Sequence, residues 1–219
     1  GLDPVMRESL KRLITKDIID RNLTVIITQN AEKYDKYSVD FTYIEPYVPQ
    51  DIGGYTVTPL SVFHANEDAY IYLIEKDGKR MLYGHDTGIF IDKTFEYLAG
   101  KRCDLISLDC TMGYQSAETG HMGFPANLKV KERLMNLGTA DRRTIFVSHH
   151  FSHNGLRAPD CDLTYDKFME MAKPHGFIMS YDGMKISNIK WVNDKENGYI
   201  NIYQVPNVPH QTKYCIGGD

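Results

Sequence analysis

Three short apolar runs in this chain each stop on residues able to bind a metal or move a proton, and that recurrence constrains the fold most. Residues 144–148 read as a β-type run that ends on His149 and His150, with His153 close behind. Three of the chain's eight histidines therefore fall at one strand end and its turn. Neutral imidazole is the commonest protein ligand for divalent transition metals, and a rigid strand end can hold it in fixed geometry. Taken alone, the cluster reads equally well as histidines that cap a strand and hydrogen-bond its loop.

The pattern recurs twice. Residues 70–81 read as a hairpin turning at Asp77-Gly78, and the strand that follows runs into Gly84-His85-Asp86-Thr87-Gly88. Residues 104–108 form a third buried-looking strand, which terminates in Asp109-Cys110-Thr111. Three strands ending in His, Asp or Cys are expected to converge on one site.

The remaining chain reads as mixed α and β. Val5, Leu10, Leu13, Ile14 and Ile18 recur at helical spacing over residues 3–20, with Pro4 suited to a first turn. Residues 23–28, 41–44 and 55–63 read as strands, with Asp51-Ile52-Gly53-Gly54 as punctuation between the last two. Helices are expected over 92–100, 125–137 and 163–172. Residues 177–180 and 184–186 are expected to form a final strand pair joined through Tyr181-Asp182-Gly183, and 199–203 one more strand in a tail over 191–219.

The order of His64 after Pro59-Leu60-Ser61-Val62-Phe63, Asp86 in Gly84-His85-Asp86-Thr87-Gly88, and His150 in Ser148-His149-His150-Phe151-Ser152-His153 resembles the later metal-binding motifs of metallo-β-lactamase-fold hydrolases. The resemblance covers about residues 55 to 190. Asp109-Cys110-Thr111, then Gly120-His121-Met122-Gly123 and Ser180-Tyr181-Asp182-Gly183-Met184, look most like its phosphodiesterase branch, including the enzyme that opens cyclic phosphates in phosphonate breakdown. The fold this implies is α/β, a metallo-β-lactamase-like four-layer αββα sandwich over residues 1–190, incomplete at its N-terminal half, with 191–219 as a C-terminal extension. One departure stands out: the family's first metal motif, H-x-H-x-D-H, occurs nowhere, and no histidine precedes His64. The simplest expectation is that the chain begins downstream of that motif.

The resemblance implies metal-assisted hydrolysis, in which two divalent ions lower the pKa of a bridging water and offset charge on the electrophile. Asp86 is the expected bridging carboxylate, His64 a ligand to one ion and His150 to the other. Asp86 thus counts as both metal ligand and catalytic residue. His149, one position before His150 on an extended backbone, is expected to point away from the metals. His153 and Asp109 are expected to support the ligands through hydrogen bonds from behind. In the phosphodiesterase branch a histidine at the position of His121 stands close to substrate, where it would protonate the leaving oxygen or stabilise phosphoryl charge. Zinc, manganese and iron all suit such nitrogen and oxygen ligands. Without the first motif, this chain alone is expected to hold at most one ion, loosely, and to be inactive.

Composition excludes several classes. A net charge of −4 gives no general attraction to nucleic acid or an anionic membrane, and the chain has no apolar run of about 18 residues that would span a bilayer. A small-molecule phosphodiester is the expected partner, with a homodimer left open. Cys103, Cys110, Cys161 and Cys215 show no C-x-x-C spacing, so free thiols and a cytoplasmic setting are expected. A non-catalytic scaffold that kept the fold but lost the first metal motif is the alternative function.

Overall fold

The computed structural model describes residues 44–64, 69–152, 156–158, 161–181, 184–186 and 200–201. The helix expected over 3–20, the strand over 23–28 and nearly all of that over 41–44 lie outside them, as do His153, Asp182 and most of the 191–219 tail.

A seven-stranded mixed sheet organises these residues. Its order is β1 (Gln50–Ile52), β2 (Tyr55–Ser61), β3 (Tyr70–Lys76), β4 (Lys79–Gly84), β5 (Leu105–Asp109), β6 (Ile145–His149) and β9 (Phe177–Met179). The first three neighbouring pairs are antiparallel and the last three parallel. Asp77 and Gly78, both at positive φ, make the tight β3–β4 turn read from sequence. Parallel neighbours need long crossovers, and helices supply them: α1 (Asp92–Leu98), α2 (Phe124–Asn136) and α3 (Tyr165–Ala172). Two small antiparallel pairs stand apart, β7 (Leu156–Ala158) with β8 (Cys161–Leu163) and β10 (Lys185–Ile186) with β11 (Ile200–Asn201).

Strand alternation sends the two faces of this sheet into different packing. Leu82, Ile106, Leu108 and Phe146 meet Phe95 and Leu98 of α1, Phe124, Val130 and Leu134 of α2, and Phe168 of α3 in the main core. Met81, Leu105 and Val147 project to the other face, where Ile186 of β10 packs on them. A sheet apolar on both faces is made to be covered on both. The arrangement is α/β, with the helices forming a layer on one face of the sheet.

Two expectations are corrected. Residues 177–180 and 184–186 do not form a strand pair: β9 lies parallel to β6, while β10 pairs with β11. Phe177 and Met179 are drawn into the helix-side core, and the Ser180 N–H bonds the Ser148 carbonyl, so β9 belongs to the crossover sheet. The Gln50 to Gly54 stretch is also more than punctuation, because Gln50–Ile52 pairs with β2 through a turn at Gly53 and Gly54, both at positive φ. Among the described residues no helix is long and apolar enough to cross a membrane.

Candidate metal centre

Parallel registry delivers the strand ends of β4, β5 and β6 to one edge. Gly84 is opposite Leu108, Leu108 opposite Ser148, and Asp109 opposite His149. Each strand then turns abruptly. Asp86 and His150 both occupy the left-handed region, with φ of 56° and 63°, which non-glycine residues visit at a cost of roughly 1–3 kcal/mol and which concentrates at functional sites. The left-handed turn separates His150 from His149. His149 is buried on the face away from the helices, where its Nε2 lies 2.8 Å from Ser107 Oγ and its ring stacks on Tyr83. That is the orientation expected of it from alternation.

Asp109 is the organiser. Its carboxylate is fully buried and accepts from the backbone N–H of Asp86 at 3.0 Å, of Thr111 at 3.1 Å and of Met122 at 2.9 Å. It also accepts the Thr111 hydroxyl at 3.0 Å, and its Oδ2 lies 3.3 Å from His121 Nδ1 and 3.1 Å from His150 Nδ1. Burial opposes ionisation here. Hydrogen bonds from His121 and His150, the proximity of His150 and the Met122 N–H overcome it and hold the carboxyl well below the usual carboxylate range. The Asp109 carbonyl accepts from Asn127 Nδ2 at 2.7 Å, and Asn127 Oδ1 accepts from Ser148 Oγ at 2.7 Å. Helix α2 thereby ties β5 to β6 directly beneath the site.

His121 arrives from the loop between β5 and α2. Two close approaches dock that loop. A Cβ on Gly88 would lie 2.4 Å from the Glu118 carbonyl oxygen, and one on Gly123 would lie 1.8 Å from that of Gln115. Only glycine allows the backbone in so far. The Ile89 N–H bonds the Glu118 carbonyl at 2.8 Å and the Gly88 N–H bonds the Phe63 carbonyl at 3.1 Å, so the Asp86 turn joins the His121 loop to the segment bearing His64. His121 Nδ1 then sits 3.6 Å from Asp86 Oδ1, and its ring meets that of His64 edge-on at 5.1 Å.

Of the residues singled out from sequence, His64 reaches Asp86, with Nε2 3.1 Å from Oδ1. Asp86, Asp109, His121 and His150 each offer a ligand atom, all within 4.8 Å of one another. Two imidazoles and two carboxylates are a donor set suited to zinc, manganese or iron. His64 touches this group through Asp86 and is not one of the four. Sequence reasoning missed the breadth of Asp109's bonding, the place of Thr111 and the position of His85. The His85 ring lies 5.4 Å from that of His150 and 5.2 Å from that of His149. Burial, then the nearby His150, lowers His85 to a pKa of about 4, and burial, then His85, lowers His149 to about 3. Both imidazoles are neutral at pH 7. The only sequence signal for them was their place immediately before Asp86 and His150.

No protein-family model matches this chain. No curated protein matches it either. Among solved structures it is similar to a diphosphatase of the PhnP family, at 20% identity and a TM-score of 0.47, over 64% of this chain and 46% of that one. The metallo-β-lactamase fold protein YhfI from Bacillus subtilis is similar at 15% identity and a TM-score of 0.49, over 69% of this chain and 58% of that one. Zn(2+)-bound PqqB from Methylobacterium extorquens is similar at 16% identity and a TM-score of 0.43, over 83% of this chain and 59% of that one. The chain spans about half the length of the solved structures it matches.

Proposed function

We propose that this chain carries part of the metal centre of a divalent-metal-dependent hydrolase acting on a phosphodiester. The observation that supports the reading is the convergence of Asp86, Asp109, His121 and His150, with ligand atoms within 4.8 Å, at the end of three parallel strands. In this reading His64, Asp86 and His150 would hold the metal. When bound there, a divalent ion would supply activation of water near neutral pH and offset charge developing on phosphorus.

The chain's other residues set up the reaction. Asp109 holds His121 by its Nδ1 at 3.3 Å, and in this reading the doubly protonated imidazolium gives its Nε2 proton to the leaving oxygen. The phosphodiester assignment rests on the resemblance carried by the Gly120-His121-Met122-Gly123 loop to the phosphodiesterase branch. Gly88 and Gly123 keep that loop docked against the Asp86 turn, so that donor and metal ligands stay in one frame.

The test is metal analysis of the full-length protein with bis(p-nitrophenyl) phosphate and p-nitrophenyl acetate assayed side by side. Phosphodiester hydrolysis that EDTA abolishes and Mn²⁺ or Zn²⁺ restores is the expected result. Ester hydrolysis alone would remove the phosphodiester. A full-length protein that binds no metal and cleaves neither substrate would leave the scaffold.

A further inference from the structure

The Thr111 hydroxyl bridges two groups of the site. Its Oγ1 is 3.0 Å from Asp109 Oδ2 and 2.7 Å from His150 Nδ1. A hydroxyl has one proton to give, and the surroundings decide where it goes. The carboxylate of Asp109, ringed by the N–H groups of Asp86, Thr111 and Met122, can only accept. If the hydroxyl proton turned to His150, the Thr111 and Asp109 oxygens would face each other lone pair to lone pair at 3.0 Å in a half-buried place. The proton therefore lies toward Asp109, and only lone pairs remain for His150.

We infer that Thr111 is a positioning residue that, with Asp109 behind it, holds neutral His150 as the Nδ1–H tautomer and leaves Nε2 as its bare, ligand-capable nitrogen. A neutral imidazole has one N–H, so a hydrogen at Nδ1 excludes one at Nε2. Free histidine in water favours the opposite tautomer, which makes the site's choice measurable. The backbone secures the arrangement: the Thr111 N–H bonds Asp109 Oδ1, and the Thr111 carbonyl accepts from the Ser152 N–H at 3.3 Å, just past His150. Thr111 and His150 are 39 residues apart, and the two chain segments are clamped at both the hydroxyl and the carbonyl. The inference also separates roles within the four-residue cluster. His150 Nδ1 faces Thr111 and Asp109, so His150 would offer an ion its Nε2, with Asp109 as the acceptor behind it.

The tautomer itself does not depend on the hydrolase reading; its consequence for metal binding does. The experiment is ¹H–¹⁵N correlation of the histidine side chains in the metal-free full-length protein, with Mn²⁺ titration of the same samples. Wild type and Thr111→Ser are expected to show His150 protonated at Nδ1. Thr111→Val, which keeps the volume and loses the hydroxyl, is expected to show a larger Nε2–H fraction and Mn²⁺ affinity lower by about 10- to 100-fold. Wild-type His150 protonated at Nε2 would overturn the inference, and so would a folded Thr111→Val with wild-type tautomer and affinity. Should the valine variant not fold, the wild-type and serine tautomers decide alone. Nδ1–H in a wild type that binds no Mn²⁺ would uphold the inference while removing the proposed hydrolase.

Discussion

Asp86 and His150 share one backbone anomaly: each leaves its strand through the left-handed region, at φ 56° and 63°, on the first and third of three successive parallel strands. Strain at both positions, and the side chains it aims at one point, make this edge the place where stability is traded for chemistry. Asp86→Gly relieves its share. The Asp86 side chain is half exposed, so little packing is lost, and the variant is expected to gain about 1 kcal/mol while losing metal binding. Thermal unfolding and metal content of the two proteins check this; a less stable glycine variant would show that the turn is unstrained.

Asp109→Asn should do the reverse. An amide presents only one acceptor atom where Asp109 now takes donors on two oxygens, and its NH₂ must face N–H groups. A destabilisation of about 2–4 kcal/mol is expected, with weakened metal binding because His121 and His150 both lose their acceptor. Denaturant unfolding with metal titration reads both. Unchanged stability would mean that the network is looser than its distances imply.

His121→Ala separates substrate contact from ligation. If His121 protonates the leaving group, turnover should fall by roughly 10²–10⁴ with metal content intact, and the loss should shrink for nitrophenolate, which departs without a proton. Equal losses on a nitrophenyl and an alkyl phosphodiester would point to charge stabilisation. Lost metal would instead make His121 a ligand, as its 3.6 Å approach to Asp86 permits.

Acid should weaken the fold through His85 and His149. Their folded pKa values, about 4 and about 3, lie below the ordinary 6.5, so the unfolded chain binds more protons between those values. Stability contributed by the neutral imidazoles is therefore complete above pH 6.5 and declines as pH falls toward 4 and below. Denaturant midpoints measured from pH 7 to 4 should drop, and His149→Asn should flatten the slope. A midpoint independent of pH in that window would contradict the burial of both rings.

Burial likewise raises Cys103 to a pKa of about 12, leaving it a thiol at pH 8. Cys103 should resist iodoacetamide in the native protein and react on unfolding, which peptide mapping would resolve. Native labelling within minutes would place it at the surface.

What could be read from the sequence was what lies close along the chain. The β3–β4 hairpin was legible because Asp77-Gly78 requires the positive φ that it has. Strands β4 and β6 were legible as apolar runs, and Asp86 and His150 stood where those runs stop. Asp109's part was underestimated because its partners come from residues 86, 111, 121, 122 and 150, a neighbourhood that exists only once the crossovers are made. The strand pair expected across Tyr181 failed for a related reason: a turn signal says that the chain bends, while registry with β6 was decided by the aromatic core around Phe177.

The ends of β4 and β5 are joined across 23 residues by the Asp86–Asp109 bond, and those of β5 and β6 across 39 by Thr111 and His150. An ion seated among these residues would act as a removable crosslink between separate crossover units. Its release would leave every strand hydrogen bond intact yet let the three units breathe independently. Metal loading should therefore slow native-state hydrogen exchange at the ends of β4, β5 and β6 together while leaving the β1–β2 hairpin unaffected.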